Sequence, residues 1–284
     1  MMYSPLRACC GRPVFSKVAF LWIVWYTNPI NTFSGRGKRI EALSAGGIVI
    51  AGGGDKSMNE KINVLGVLVD CMNVDSEMEQ IEEFMQNDHL NTVGIITMNT
   101  LLMAREVPRW KEYMENLDMG VPGEKEVLEA AGITGGQIYE EVEENEFFAR
   151  LFWYLISHDR KIFLLGESPE EVEALKGYLL ETYPGIAIAG ETADVVDGDV
   201  STDRLVNEIN SVSPDVIVSG LQGFRQDEFL LDNRQKINGK IWLGLGEHTE
   251  IRNEAGLKVS WWSTLLKKNT FRRLAAKYKE GKNE

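Results

Sequence analysis

The stretch of this chain best placed to hold a ligand runs from Asp215 to Glu228, Asp-Val-Ile-Val-Ser-Gly-Leu-Gln-Gly-Phe-Arg-Gln-Asp-Glu. Val216-Ile217-Val218 is a short β-branched run with the character of a buried parallel strand, and the chain from Gly223 onward reads as the start of a helix. Between and just after them, Gly220, Gln222, Arg225, Gln226 and Asp227 form a Gly-bounded polar turn. In an open α/β sheet such a turn lies at the carboxyl end of its strand, where these folds take their ligands. Other chemistries are poorly represented. His89, His158 and His248 show no metal-ligand spacing with one another or with Cys9, Cys10 and Cys71, so no metal site is expected. Three cysteines make no disulfide framework, which suits a reducing compartment. Neither GxGxxG nor Gly-Lys-Ser/Thr occurs, which disfavours a dinucleotide-dependent oxidoreductase.

The elements that must position this turn begin at Ile62. From there apolar runs alternate with amphipathic segments, the pattern of an α/β fold whose mostly parallel sheet carries helices on both faces. Residues 62–69 read as extended structure broken at Gly66. Asp75 is expected to cap a helix through Met85, with Met78, Ile81, Phe84 and Met85 on one face. Residues 93–98 form the next strand, ending in Thr97-Met98-Asn99. A helix pair over 101–105 and 108–116 leads to a short strand, 119–121, stopped by Pro122-Gly123. A helix over 124–131 follows, its acidic first turn matched to the helix dipole.

Residues 132–145 read as a polar connection, and 147–158 as a helix apolar enough to be buried on more than one side. After a strand at 162–165, Gly166-Glu167-Ser168-Pro169-Glu170-Glu171 announces a helix. Ser168 is its N-cap, Pro169 sits at N1, and Glu171 completes a capping box. That helix runs to about Tyr183, and a strand at 186–189, a loop at 190–199 and a helix at 202–210 lead back to Asp215. The last strand is 241–245.

Charge is unevenly spread over the 284 residues, which sum to −13. Residues 1–57 carry seven Lys and Arg against two Asp and Glu, residues 58–256 carry 15 against 39, and residues 257–284 carry eight against two. So acidic a body argues against nucleic acid as a partner. The sequence is expected to divide accordingly into an N-terminal extension (1–57), an α/β domain (58–256) and a basic C-terminal helix (257–284). The apolar run 18–26 is too short to span a bilayer as a helix. The first segment therefore reads as an extension outside the fold, with a membrane-contacting segment and a cleaved signal as alternatives. Its glycines, Gly46-Gly47 and Gly52-Gly53-Gly54, suit a flexible linker.

The tail, with Ser260 as candidate N-cap, interleaves Trp261, Trp262, Leu265, Leu266, Phe271 and Leu274 with Lys267, Lys268, Arg272, Arg273 and Lys277. This is the composition of a basic amphipathic helix lying on an anionic membrane surface. The other reading is a terminal helix docked on the body with its basic face in solvent.

Several of these segments together resemble the WecG/TagA/CpsF glycosyltransferases. They are Ile62-Asn63-Val64-Leu65-Gly66-Val67-Leu68-Val69-Asp70, Ile162-Phe163-Leu164-Leu165-Gly166-Glu167, Pro214-Asp215-Val216 with Gly220-Leu221 and Gln226-Asp227, and Gly244-Leu245-Gly246. The resemblance runs from about Asn59 to the C-terminus. It implies a Rossmann-like fold and a bacterial, cytoplasmic enzyme peripheral to the inner face of the plasma membrane. It implies inverting, metal-independent transfer of an N-acetylmannosamine-type sugar from a UDP donor to polyprenyl-diphosphate-linked N-acetylglucosamine, in cell-wall or surface-polysaccharide synthesis such as that of teichoic acid. No cofactor is implied beyond UDP-sugar as the donor substrate. The oligomeric state is left open, a homo-oligomer included.

The resemblance also implies site residues. Thr97 and Asn99 match a Thr-x-Asn element beside the donor site. Gln226 matches a Gln after the Gly-Leu turn, with Asp227 where Glu is usual. Gly166, Glu167, Gly220, Gln222 and Arg225 are then expected around the sugar and diphosphate. The sequence departs from the family at Val121-Pro122-Gly123-Glu124, where the family places an Asp that serves as general base and this chain has Gly123. Inverting transfer needs a carboxylate to take the acceptor's proton. Glu124, one residue on, is the expected substitute, and its alternative reading is a helix N-terminal residue complementing the dipole. Near the last strand Glu250 is the nearest acidic replacement for another departed motif. The missing Asp supports a second functional reading, a family member that binds a nucleotide sugar, lipid or partner enzyme without turnover.

Overall fold

The strands of the central sheet alternate their side chains between two apolar layers, and this arrangement fixes the architecture. In a computed structural model that describes residues 60–193, 199–221, 229–230, 232–245 and 270–278, all within one unit spanning Asp55–Glu284, the sheet has six parallel strands. They are β3 (Asn91–Ile96), β4 (Met119–Pro122), β5 (Lys161–Leu165), β6 (Ala187–Thr192), β7 (Val216–Ser219) and β8 (Ile241–Gly244), in the order β4-β3-β8-β7-β5-β6. Val93, Ile95, Ile162, Leu164, Val216, Val218, Ile241 and Leu243 enter one core, and Ile96, Phe163, Leu165, Ile217 and Trp242 enter the other. Strands covered on both faces read as continuous apolar runs, which is why they were legible.

The first core is covered by α1 (Val74–Gln86), α6 (Glu146–Ser157) and α7 (Pro169–Thr182). The second is covered by α2 (Met98–Glu106), α3 (Pro108–Glu115), α8 (Asp199–Val212) and a separate antiparallel hairpin, β1 (Glu60–Val64) with β2 (Val67–Cys71). Leu65 and Gly66 turn that hairpin with φ of 54° and 91°, a two-residue turn of the primed type that suits twisted strands. The hairpin lies against β4, an edge strand, and the Asp70 carboxylate accepts the Gly120 N–H at 2.8 Å while pairing with Lys61 at 3.2 Å. An edge N–H that is satisfied in this way is closed to strand pairing.

Several expectations are corrected. The cap of α1 is Asn73, whose side chain accepts from Ser76 N–H at 2.9 Å, and Asp75 lies inside the first turn. Residues 132–145 are not merely a connection. They contain α5 (Gln137–Glu143), pinned where Glu141 accepts the Val74 N–H at 3.0 Å. Helix α6 buries Phe147, Phe148, Leu151, Phe152 and Leu155 on one broad face, while Trp153 on the other side is 41 % exposed. Ser168 does cap α7, but Glu171 reaches past the cap to the Glu167 N–H at 3.3 Å, so the reciprocal bond is missing. Strand β6 continues through Thr192, into what read as a loop.

The sequence expectation for the tail placed a helix on the membrane, and the described part of it docks on the body. Residues 270–278 are helical, Phe271 and Ala275 are buried in the second core, and Leu274 and Tyr278 pack against it. Tyr278 Oη donates to Asn63 Oδ1 at 3.0 Å, and Arg272 pairs with Glu129 at 3.7 Å. Arg272 and Arg273 remain exposed. Ser260, Trp261, Trp262, Lys267 and Lys268 lie outside the described residues, as does all of the expected N-terminal extension.

Candidate functional site

In a parallel sheet every strand ends on the same edge, and there Thr97, Asn99, Glu124, Gly166, Glu167 and Gly220 follow their strands. Backbone hydrogen bonds align that edge: Gly123 N–H donates to Ile96 C=O at 2.8 Å, Gly220 N–H to Leu165 C=O at 2.7 Å, and Gly166 N–H to Thr192 C=O at 3.1 Å. Strand β7 stands two places from β3, and β5 three. At about 4.8 Å per strand, the Gly220 and Gly166 turns lie roughly 10 and 14 Å along the edge from Thr97. A nucleoside diphosphate sugar laid along this edge spans such a distance.

At one end, α2 starts immediately after β3. Thr97 is its N-cap, 1 % exposed, and its hydroxyl accepts from Thr100 N–H at 3.3 Å while Thr100 Oγ1 accepts from Thr97 N–H at 2.8 Å. This reciprocal cap went unread because the N3 partner is Thr rather than Glu or Gln. Thr97 therefore shapes the helix start, and Asn99, half-buried in the first turn of the helix, is the side chain of the Thr-x-Asn element nearer the surface. Thr97→Val, nearly isosteric, is expected to cost about 1 kcal/mol by removing the cap. A urea midpoint equal to wild type would show that the cap contributes nothing.

Glu124 comes to the same place from β4. Its Oε2 accepts the Met98 N–H at 3.1 Å, so the carboxylate rests on the first turn of α2, at the positive end of that helix. It sits at the N-cap position of α4 (Lys125–Ala131) but makes no cap bond to that helix, so the dipole it complements by hydrogen bonding belongs to α2 and not to its own helix. Gly123 has no side chain to stand between β4 and this group.

At the other end, Gly166 is a packing requirement: a Cβ there would lie 2.7 Å from Val172 Cγ2, against the first turn of α7. Glu167 is half-buried beside it, and Gly220 starts the turn of β7. Gln222, Arg225, Gln226, Asp227 and Glu250 lie outside the described residues.

One buried acid near this edge was not anticipated. Glu77, in the first turn of α1, is 3 % exposed, and among the described residues its carboxyl makes no hydrogen bond. Burial, followed by the facing Glu141 and Asp70 carboxylates, pushes its pKa up to about 8. It lines a cavity with Val121, Pro122 and Gly123 from the end of β4 and with Ile138, Val142 and Phe148 from α5 and α6. The signal was present in the sequence: 77 shares the spacing of Val74, Ile81 and Phe84, so an acid occupies the apolar stripe of α1.

Comparison with known proteins gives the family of the chain. The family model for the Glycosyl transferase WecG/TagA/CpsF family matches residues 62–273. Among curated proteins, N-acetylglucosaminyldiphosphoundecaprenol N-acetyl-beta-D-mannosaminyltransferases of Staphylococcus aureus strains NCTC 8325, COL and MRSA252 are each 23 % identical over 199 residues, covering 69 % of this chain and 77 % of theirs. With three quarters of its length matched, from the β1–β2 hairpin to the docked terminal helix, this chain belongs to the WecG/TagA/CpsF family of glycosyl transferases.

Proposed function

We propose that this protein transfers an N-acetylmannosamine-type sugar from a UDP donor to the hydroxyl of a polyprenyl-diphosphate-linked N-acetylglucosamine. The observation that carries the reading is the Glu124 carboxylate held on Met98 N–H, on the strand-end edge that also presents the Gly166 and Gly220 turns. In this reading Glu124 takes the proton as the acceptor O–H bond breaks, the acceptor oxygen bonds to the anomeric carbon, and the bond from that carbon to UDP breaks with its electrons leaving on the diphosphate. Asn99 and Glu167 flank the sugar, and the polar residues that follow Gly220 in the sequence, Gln222, Arg225, Gln226 and Asp227, meet the diphosphate. Thr97 acts by setting the start of α2. Among the described residues no helix is long and apolar enough to cross a membrane. The exposed Arg272 and Arg273 supply a cationic face for the anionic surface that carries a lipid-linked acceptor.

The test is transfer by purified protein from UDP-N-acetylmannosamine to a lipid-diphosphate N-acetylglucosamine analogue. Glu124→Gln is expected to lower kcat on the order of 10²-fold with donor KM little changed. Unchanged kcat would remove Glu124 from the mechanism. Calorimetric donor binding by wild type with no turnover would favour the binding-only reading, whose motive is Gly123 at the position of the family's Asp.

A further inference from the structure

The cavity beneath Gly123 is unused by the mechanism above, yet it opens beside the group proposed to do the chemistry. The space within it and its mouth comes to about 320 Å³, most of that open to solvent, and the enclosed part is far smaller. That is room for a small substituent, not for a whole sugar. Val121, Ile138, Val142 and Phe148 make its walls apolar. Among the described residues its lining includes no Lys, Arg or His, and it holds two carboxyl groups, Glu77 and Glu141. Phosphate and carboxylate ligands are therefore repelled. Glu141 is already engaged, accepting from Val74 N–H at 3.0 Å and from Gln137 Nε2 at 2.7 Å. Among the described residues the Glu77 carboxyl makes no hydrogen bond, and a buried polar group in that state calls for a partner from the ligand.

We propose that this cavity is the subsite for the acetamido group of an N-acetylhexosamine substrate, with the methyl against the apolar walls and the amide paired to the Glu77 carboxyl. The proposal rests on the transferase reading, under which donor and acceptor each carry such a group. Because Glu77 keeps its proton up to about pH 8, it offers an O–H to the acetamido carbonyl oxygen at neutral pH. The charged groups that face it among the described residues are Asp70, itself paired with Lys61 of the hairpin, and Glu141 from α5.

Glu77→Leu keeps the side chain's bulk, removes a buried acid and is expected to fold. It is read against paired substrates that differ only in carrying acetamido or hydroxyl at C2, on the donor in one arm and on the acceptor analogue in the other. The expected result is a loss of about tenfold in kcat/KM for the acetamido member of one pair, with its hydroxyl counterpart unchanged and Glu77→Gln retaining the preference. The pair affected identifies whose acetamido group enters. Discrimination preserved in both arms by Glu77→Leu would overturn the proposal. Calorimetric binding of the two donors gives the same comparison without turnover. An absence of transfer by wild type would thus count against the transferase reading, and equal donor affinities in wild type and Glu77→Leu would count against a donor subsite.

Discussion

Unfolding free energy is expected to fall by several kcal/mol as pH rises from about 5 to about 8.5, and Glu77→Leu is expected to remove most of that fall. In the folded chain the Glu77 pKa is raised from 4.5 to about 8, first by burial and then by the facing Glu141 and Asp70 carboxylates. Below the unfolded value both states hold the proton, and the stabilising difference is fully present. Between the two values the folded state keeps the proton and the unfolded state gives it up, so stability falls as pH rises. Above about 8 both are ionised and the loss is complete. At about 1.36 kcal/mol per unit the whole window amounts to about 5 kcal/mol as an upper figure, on the order of a third or more of a typical domain's stability. Urea unfolding at several pH values, wild type against Glu77→Leu, checks this. Parallel profiles would mean that the carboxyl reaches water or a counter-charge in solution.

The reason Glu77 escaped prediction shows where sequence periodicity ceases to inform. The strands were legible because each is buried on both faces, and a run such as Val216-Ile217-Val218 has no other stable setting. The order of the strands was not legible, and it is the pairing of β3 with β4 that brings Glu124 onto the first turn of the helix that Thr97 caps. What periodicity does not carry is which polar group finds a distant partner. Helix α5 exposes most of its surface and is held through Glu141 on the first turn of α1, 67 residues away, so its sequence reads as a loop. Asn73 and Asp75 are both good caps, and only the extended backbone at Asn73, φ −75° and ψ 162°, decides between them. An acid in the apolar stripe of α1 reads as a pattern error until the cavity beside it is seen.

Phe271→Ala is expected to cost about 3–5 kcal/mol, as large as any single change in the central core. The reasoning turns on the difference between the two faces of the terminal helix. Phe271, Leu274, Ala275 and Tyr278 recur at three- and four-residue spacing, and Phe271 is 1 % exposed within the same apolar layer as Val64, Val67, Val127 and Leu101. The helix thus completes the covering of the second layer. Arg272 and Arg273 stand on the other face, where the 3.7 Å pairing of Arg272 with Glu129 is mostly solvated. Replacing both arginines by Ala should change stability by less than about 1 kcal/mol and should weaken binding to anionic liposomes. The two substitutions therefore separate roles that composition alone merges, since a tail that only touched lipid would lose membrane binding on Phe271→Ala and keep its urea midpoint. A wild-type midpoint for Phe271→Ala would refute the docked role. By the same argument, cutting the chain at residue 257 should leave a body that unfolds more easily, because the slot filled by Phe271 would be open to water.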